Sequence, residues 1–510
     1  MKATTTSAIR ALECPEEAAA AAAGSPAAVR WRRARRALTV TAVLGLVAGG
    51  AAALVMWPQP RTAVPPAPGP GARALSAVET GTPAASADLT ALIAERVRHL
   101  RAHPRDDESW AVLGAAYAER GTRTGDSADF PRAQRALESS LAARPEGNAR
   151  ALTASAQLAL ARQDPRAAAG QAERAVRIAP KRWPGYPPLI DAYRGLGDDK
   201  AAGKALETLR GLRAPEVVVR FAAARLYRDR GWREDAAANL GDAVAAARSA
   251  TEEADARRLL GELAAERGEP ERALGWFDGA LRVGPDRYEA LAGRARALAA
   301  LGRSGEAVRV YREAYAGRPV PEYALELGEL HESLGAEREA RERYDVVRER
   351  VRARDAHGVR GGLLLGTLDA DHGDADAVGS AVPLLRDEAE ARGASPVVLD
   401  AYAWALFRAG EVPAADALYR EVRQKGGRGA LFAYHRAEVA LSLGDSGSAR
   451  RGFEEVLRVN PFVSPLVGVR VRGALAELGE PSPGGPEVTH GPAQPMTSPS
   501  PSPSPSPSPS

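Results

Sequence analysis

One cysteine, three methionines and seven histidines are spread over 510 residues, and aromatic side chains make up only 5% of the chain. A lone thiol, Cys14, excludes any intrachain disulfide and any cysteine-based zinc site. No apolar stretch precedes Cys14, so it does not read as a lipoprotein cysteine. With few rings and abundant alanine, a core must be thin and its helices must approach closely through small side chains. Excess charge is also missing. The formal charge is +4 and the pI about 9.2, but Arg30, Arg32, Arg33, Arg35 and Arg36 supply five of the positive charges, which leaves about −1 elsewhere. A nucleic-acid partner is therefore not expected. There is no GxSxG, no phosphate-binding P-loop and no glycine-rich dinucleotide motif after a strand. No cofactor is implied, and the chain reads as a non-enzyme.

Long apolar runs are absent but for one. "ALTVTAVLGLVAGGAAALVMW", Ala37 to Trp57, carries no charge and follows the five arginines. At about 1.5 Å per residue it matches a hydrocarbon core of roughly 30 Å, which predicts a membrane helix. Cleavage as a signal peptide near Ala51-Ala52-Ala53 is the alternative, although such apolar regions are normally shorter. The arginine asymmetry places the N-terminus in the cytoplasm and the rest outside. Gly45 and Gly49 form a GxxxG step, a weak signal for self-association. Residues 1–29 read as a disordered cytoplasmic N-terminus, 30–57 as basic flank and span, 58–87 as a Pro/Ala-rich linker, 88–480 as the folded body and 481–510 as a disordered Pro/Ser-rich tail.

The body carries a beat. Gly197, Gly231, Gly268, Gly302, Gly335, Gly373, Gly410 and Gly444 recur at gaps of 33 to 38 residues. Five positions after each stands an alanine, or Val378 in one case, and nine after each an apolar residue such as Phe277, Tyr311 or Phe453. The glycine ends a first helix in a left-handed turn, and the alanine lets a second helix cross it closely. One such unit cannot bury its apolar face alone, so units must stack.

Trp110, Leu113, Gly114 and Tyr117 reproduce W-x2-L-G-x2-Y, and Leu260-Gly261 and Leu327-Gly328 repeat part of it. The chain thus resembles the tetratricopeptide repeat family, bacterial and single-span in type. The resemblance covers residues ~107–462 and implies an all-α, right-handed solenoid of roughly ten helix-turn-helix units behind one transmembrane helix. The first unit carries an insertion, "TRTGDSADF", and the second lacks the turn glycine. Capping helices are expected near 88–102 and 463–478.

By resemblance, the fifth and ninth positions of each unit line a concave, partner-binding face. These positions give Phe221, Arg225, Arg258, Glu262, Ala292, Arg296, Leu325, Glu329, Asp400, Trp404, Tyr434 and Glu438, with Phe407 one turn beyond Trp404. Aromatics framed by charges suit anchoring of a protein or peptide; filling gaps between units is the alternative role for Trp404 and Phe407. A carboxylate clamp of Lys and Asn is excluded, because Asn148, Asn239 and Asn460 occupy no such position. Metal candidates fit poorly. "LDADHGDADA", Leu368 to Ala377, has its glycine one place early for a calcium loop, and His99 and His103 lack an intervening glutamate before Pro104. The expectation is a membrane-anchored scaffold facing the cell envelope. A metal-dependent hydrolase using His99, His103 or the Asp369–Asp376 cluster, and a cytoplasm-facing regulatory hub, are the competing readings.

Overall fold

The computed structural model describes residues 68–479 apart from 285–287 and 394, all within one compact unit, Pro68–Ser510. The expected span Ala37–Trp57, Cys14, the Gly45/Gly49 step and the tail lie outside the described residues. Among the described residues, no helix is long and apolar enough to cross a membrane.

The described chain is helical, with no strand. Two helices open it, α1 (Pro70–Thr80) and α2 (Ser86–Ala102). Ten helix pairs follow. The first five are α3 (Asp107–Thr124) with α4 (Asp129–Ala143), α5 (Ala149–Ala161) with α6 (Pro165–Ile178), α7 (Tyr186–Gly195) with α8 (Asp199–Arg210), α9 (Glu216–Asp229) with α10 (Arg233–Ala246), and α11 (Ala250–Glu266) with α12 (Pro270–Val283). The next are α13 (Tyr288–Ala300) with α14 (Ser304–Gly317), α15 (Pro321–Ser333) with α16 (Glu337–Asp355), and α17 (Gly362–His372) with α18 (Ala375–Arg392). The last are α19 (Pro396–Arg408) with α20 (Val412–Gln424) and α21 (Ala430–Ser442) with α22 (Ser446–Val459). α23 (Val467–Leu478) closes the array.

The reading of 58–87 as linker is corrected by α1. Pro70 starts a helix whose Ala74, Leu75, Ala77 and Val78 form one apolar face, packed with Leu89, Leu92 and Val112.

Turn chemistry follows from two adjacent residues. In most pairs a glycine in the left-handed region, such as Gly197 or Gly444, ends the first helix. After Gly197 and Gly444 the next residue, Asp198 or Asp445, also caps the second helix by accepting a backbone N–H from Ala201 or Ser448, which the residues after Gly231, Gly268, Gly302, Gly335 and Gly410 do not do. In the second pair Gln163 takes the glycine's place, the one non-glycine at positive φ (61°) among the described residues. A left-handed conformation costs such a residue about 1–2 kcal/mol. Gln163→Gly should therefore raise the melting temperature, an effect read by calorimetry; a lower value would mean the Gln163 side chain contributes more than the strain.

Gly373 corrects the expected pattern. Its φ is −81°, so it is not a left-handed turn residue. It is glycine for space, since a Cβ there would meet the Asp369 carbonyl oxygen at 2.3 Å. The core explains two glycines inside the helices, outside the beat. Phe277 is fully buried and its ring presses on Gly261 and Gly293, where an added Cβ would lie 2.7 and 2.3 Å from the ring. Ala273, Ala307, Ala415 and Ala449 are fully buried at the crossings.

The array also closes on itself. The turn within each of the first five pairs meets the junction that follows the pair five places later. Thr122 accepts from Arg318 and Ala265 from Asn460, 196 and 195 residues away in the chain. Arg360 donates its backbone N–H to Arg162, Gly197 abuts Ser395, and Gly231 abuts Arg428. Val359 inserts among Phe130, Leu137 and Leu158. Successive turns of the superhelix thus share a seam.

Candidate inner-face binding site

Among the fifth and ninth positions of the first helices, the structure brings charged side chains of neighbouring units together, and most of those charges are already paired. Arg225 donates two hydrogen bonds to Asp191 (3.0 and 3.1 Å), which also takes Arg194 at 2.7 Å. Arg228 joins Glu262 (3.5 Å) and Glu266, and Arg258 donates to Glu262 at 2.5 Å. Arg123 reaches across from α3 to Asp255 on α11 (2.8 Å). Arg296 and Tyr311 both donate to Glu326 at 2.8 Å. The result is a ladder of ion pairs running from unit to unit.

The carboxylates of the ladder differ along its length. Burial pushes the carboxyls of Asp191 and Glu262 up, but Arg225 and Arg194 around the first, and Arg258, Arg228 and Arg296 around the second, outweigh it and hold both below the usual range. Further on, Glu329 is held above that range by burial, opposed by His372 and reinforced by Asp371 and Glu326. Burial would lower the His372 imidazole, but Glu329, Asp371 and Glu332 prevail and raise it. His372 donates toward Glu332 at 2.9 Å and stacks on Tyr344, whose hydroxyl also reaches Glu332. Three polar cavities line this face: about 250 Å³ beside Phe221, Arg225 and Arg258, about 440 Å³ between Glu262 and Arg296, and about 360 Å³ beside Arg296 and Glu329.

The predicted aromatics sit differently. Trp404 and Tyr434 are only 3% and 4% exposed, and Phe221 6%. The Trp404 ring stacks on His435 (4.2 Å), leans on Phe407 (5.1 Å) and Tyr434 (5.8 Å), and donates its N–H to Asp371 at 2.6 Å. These rings join α17, α19 and α21 and offer little surface, which is the gap-filling arrangement. Glu438 lies beside Tyr434 and Arg470, its carboxyl raised mainly by burial. Asp191, Glu326, Glu332 and His372 were not singled out from sequence. Asp191 stands at a ninth position and Glu332 one helical turn past Glu329, another, so the register could have found these two; Glu326 and His372 stand at neither.

The metal candidates are committed elsewhere. His99 and His103 stack at 4.3 Å, and His99 pairs with Asp106. Asp369 holds Arg348, Asp371 holds Trp404 and Asp374 caps α18. Among the described residues, no group of three or more His, Cys, Asp or Glu side chains converges on a metal position.

No family model matches the chain. No curated protein matches it either. Solved structures do. A tetratricopeptide repeat protein from Parabacteroides merdae is 17% identical, covering 52% of this chain and 98% of that one, with a TM-score of 0.32. The human IFIT1 dimer with PPP-AAAA is 15% identical over 63% of this chain and 73% of that one (TM-score 0.41). Pseudomonas aeruginosa PilF is 17% identical over 39% and 90% (TM-score 0.32).

Proposed function

We propose that this solenoid of tetratricopeptide type is a non-enzymatic scaffold that holds a protein partner on its inner face. The observation that carries the proposal is the row of three polar cavities along one surface, each bounded by charges of known sign. Cavities of that size take one or two side chains apiece, and their spacing on consecutive first helices suits an extended segment. A photocrosslinker placed at Glu329 in living cells should trap a defined protein. The same probe at Arg338, on the outer surface with 79% of its side chain exposed, should not. Equal trapping at both positions would remove the inner face as the site.

The scaffold is further proposed to be tethered to a bacterial membrane through Ala37–Trp57, with the repeats on its extracytoplasmic side. Support comes from the uncharged run behind five arginines. Cys14, the sole thiol, reports the topology. A membrane-impermeant maleimide should leave it unlabelled in intact, wall-stripped cells and label it after lysis; labelling before lysis would reverse the orientation or place the chain outside the membrane altogether.

A further inference from the structure

We propose that the seam between superhelical turns is a second docking surface, a groove for a short acidic peptide segment. Its cavity measures about 1040 Å³, larger than any on the inner face described above and at the upper end for ligand pockets. It runs between the turns around α8 and α10 on one side and the α18–α19 and α20–α21 junctions on the other. Three large apolar side chains stand open along it: Trp232, 48% exposed, Val397, 59%, and Leu431, 39%. A core has no use for these, and all three belong to the wall of this one cavity.

Charge selects the occupant. The carboxylates lining the groove are already engaged: Asp191 and Asp229 hold Arg194, Glu266 holds Arg228, and Asp199 lies beside Arg230. Two lining cations have no ion-pair or hydrogen-bond partner among the described residues, Arg233 at the start of α10 and exposed Arg428 in the loop Lys425-Gly426-Gly427-Arg428-Gly429. They flank Trp232 from opposite turns, since Gly231 abuts Arg428. A carboxylate-bearing segment satisfies both guanidiniums bidentately while laying an apolar side chain against Trp232, Val397 or Leu431. A nucleic acid fits worse, because two free cations on a body without excess positive charge cannot neutralise a run of phosphates.

The probe is a fluorescein-labelled peptide of alternating glutamate and leucine, titrated into the full-length protein in detergent. Saturable binding that weakens with salt is expected, with Trp232 emission changing on binding. Charge reversal at both Arg233 and Arg428 should weaken binding by roughly tenfold or more, and Trp232→Ala should weaken it too, with the melting temperature unchanged because these side chains are not core. A lysine–leucine peptide should not bind. The proposal is overturned if the acidic peptide fails to bind, if the charge reversal leaves its affinity unchanged, or if a single-stranded oligonucleotide binds more tightly. It is also overturned if sedimentation shows a dimer that the same substitutions dissociate, since the groove would then belong to a second copy. None of these variants touches the inner-face cavities, so partner trapping at Glu329 reads out separately.

Discussion

Trp404→Ala should destabilise the protein by about 3–5 kcal/mol, the usual cost of emptying the site of a large buried ring. The side chain is 3% exposed, and its loss removes contacts with His435, Phe407 and Tyr434 at once. It also leaves Asp371 without the indole donor and removes the ring beneath Arg408. Trp404→Phe keeps most of the volume and should cost much less, mainly the lost hydrogen bond. In a stack where each unit touches chiefly its neighbours, the damage should be local. Hydrogen exchange should accelerate first and most across α17–α22, with α5–α8, which meet that region across the seam, following. An unchanged melting curve for Trp404→Ala, with partner trapping lost, would restore Trp404 as an exposed anchor.

That prediction differs from what the sequence suggested, and the reason is geometric. The repeat itself was legible because it depends on local rules. Glycine at Gly268, alanine at Ala273 and the ring at Phe277 each answer a constraint imposed within one helix pair or by the next. Helices were expected near 88–102 and 463–478 and are observed as Ser86–Ala102 and Val467–Leu478, although Pro70–Thr80 precedes and covers the first, so it does not cap the array. A ninth position, however, says only that a side chain points inward. Whether Trp404 meets solvent there depends on His435 and Phe407 and on how far one unit rotates against the next. Gly373 shows the same limit from the other direction, since a glycine in register was required by the Asp369 carbonyl and not by a left-handed turn. The seam was invisible for a stronger reason. It joins Thr122 to Arg318 and Ala265 to Asn460, pairs set by rotation accumulated over about six units, for which no local motif exists.

Closing the superhelix should change how the array unfolds, and Arg392 tests this. Its guanidinium donates to Glu388 at 2.5 Å and to the Arg360 carbonyl at 3.2 Å, and reaches Gln163 of the preceding turn at 3.4 Å. Glu388 is 4% exposed and Arg392 7%, so the pair is buried beside the point where Arg166 donates to the Glu390 and Ala391 carbonyls. Arg392→Met should cost about 3–5 kcal/mol, because the Glu388 carboxylate is left in the interior with only the more distant Arg360 at 3.3 Å. The double substitution Glu388→Met with Arg392→Met should recover most of that loss, since replacing both charges by apolar groups removes the unpaired carboxylate. The two variants should also differ in cooperativity. With the seam intact, α5–α6 and α18–α19 are coupled across the turn and should melt together, although they lie some six units apart in the chain. Arg392→Met should split that transition, so that exchange in α18–α19 rises before exchange in α5–α6, and the double variant should rejoin it. A single transition with unaltered denaturant slope in Arg392→Met would mean that the turns touch without sharing stability, and that the solenoid unfolds through neighbour contacts alone.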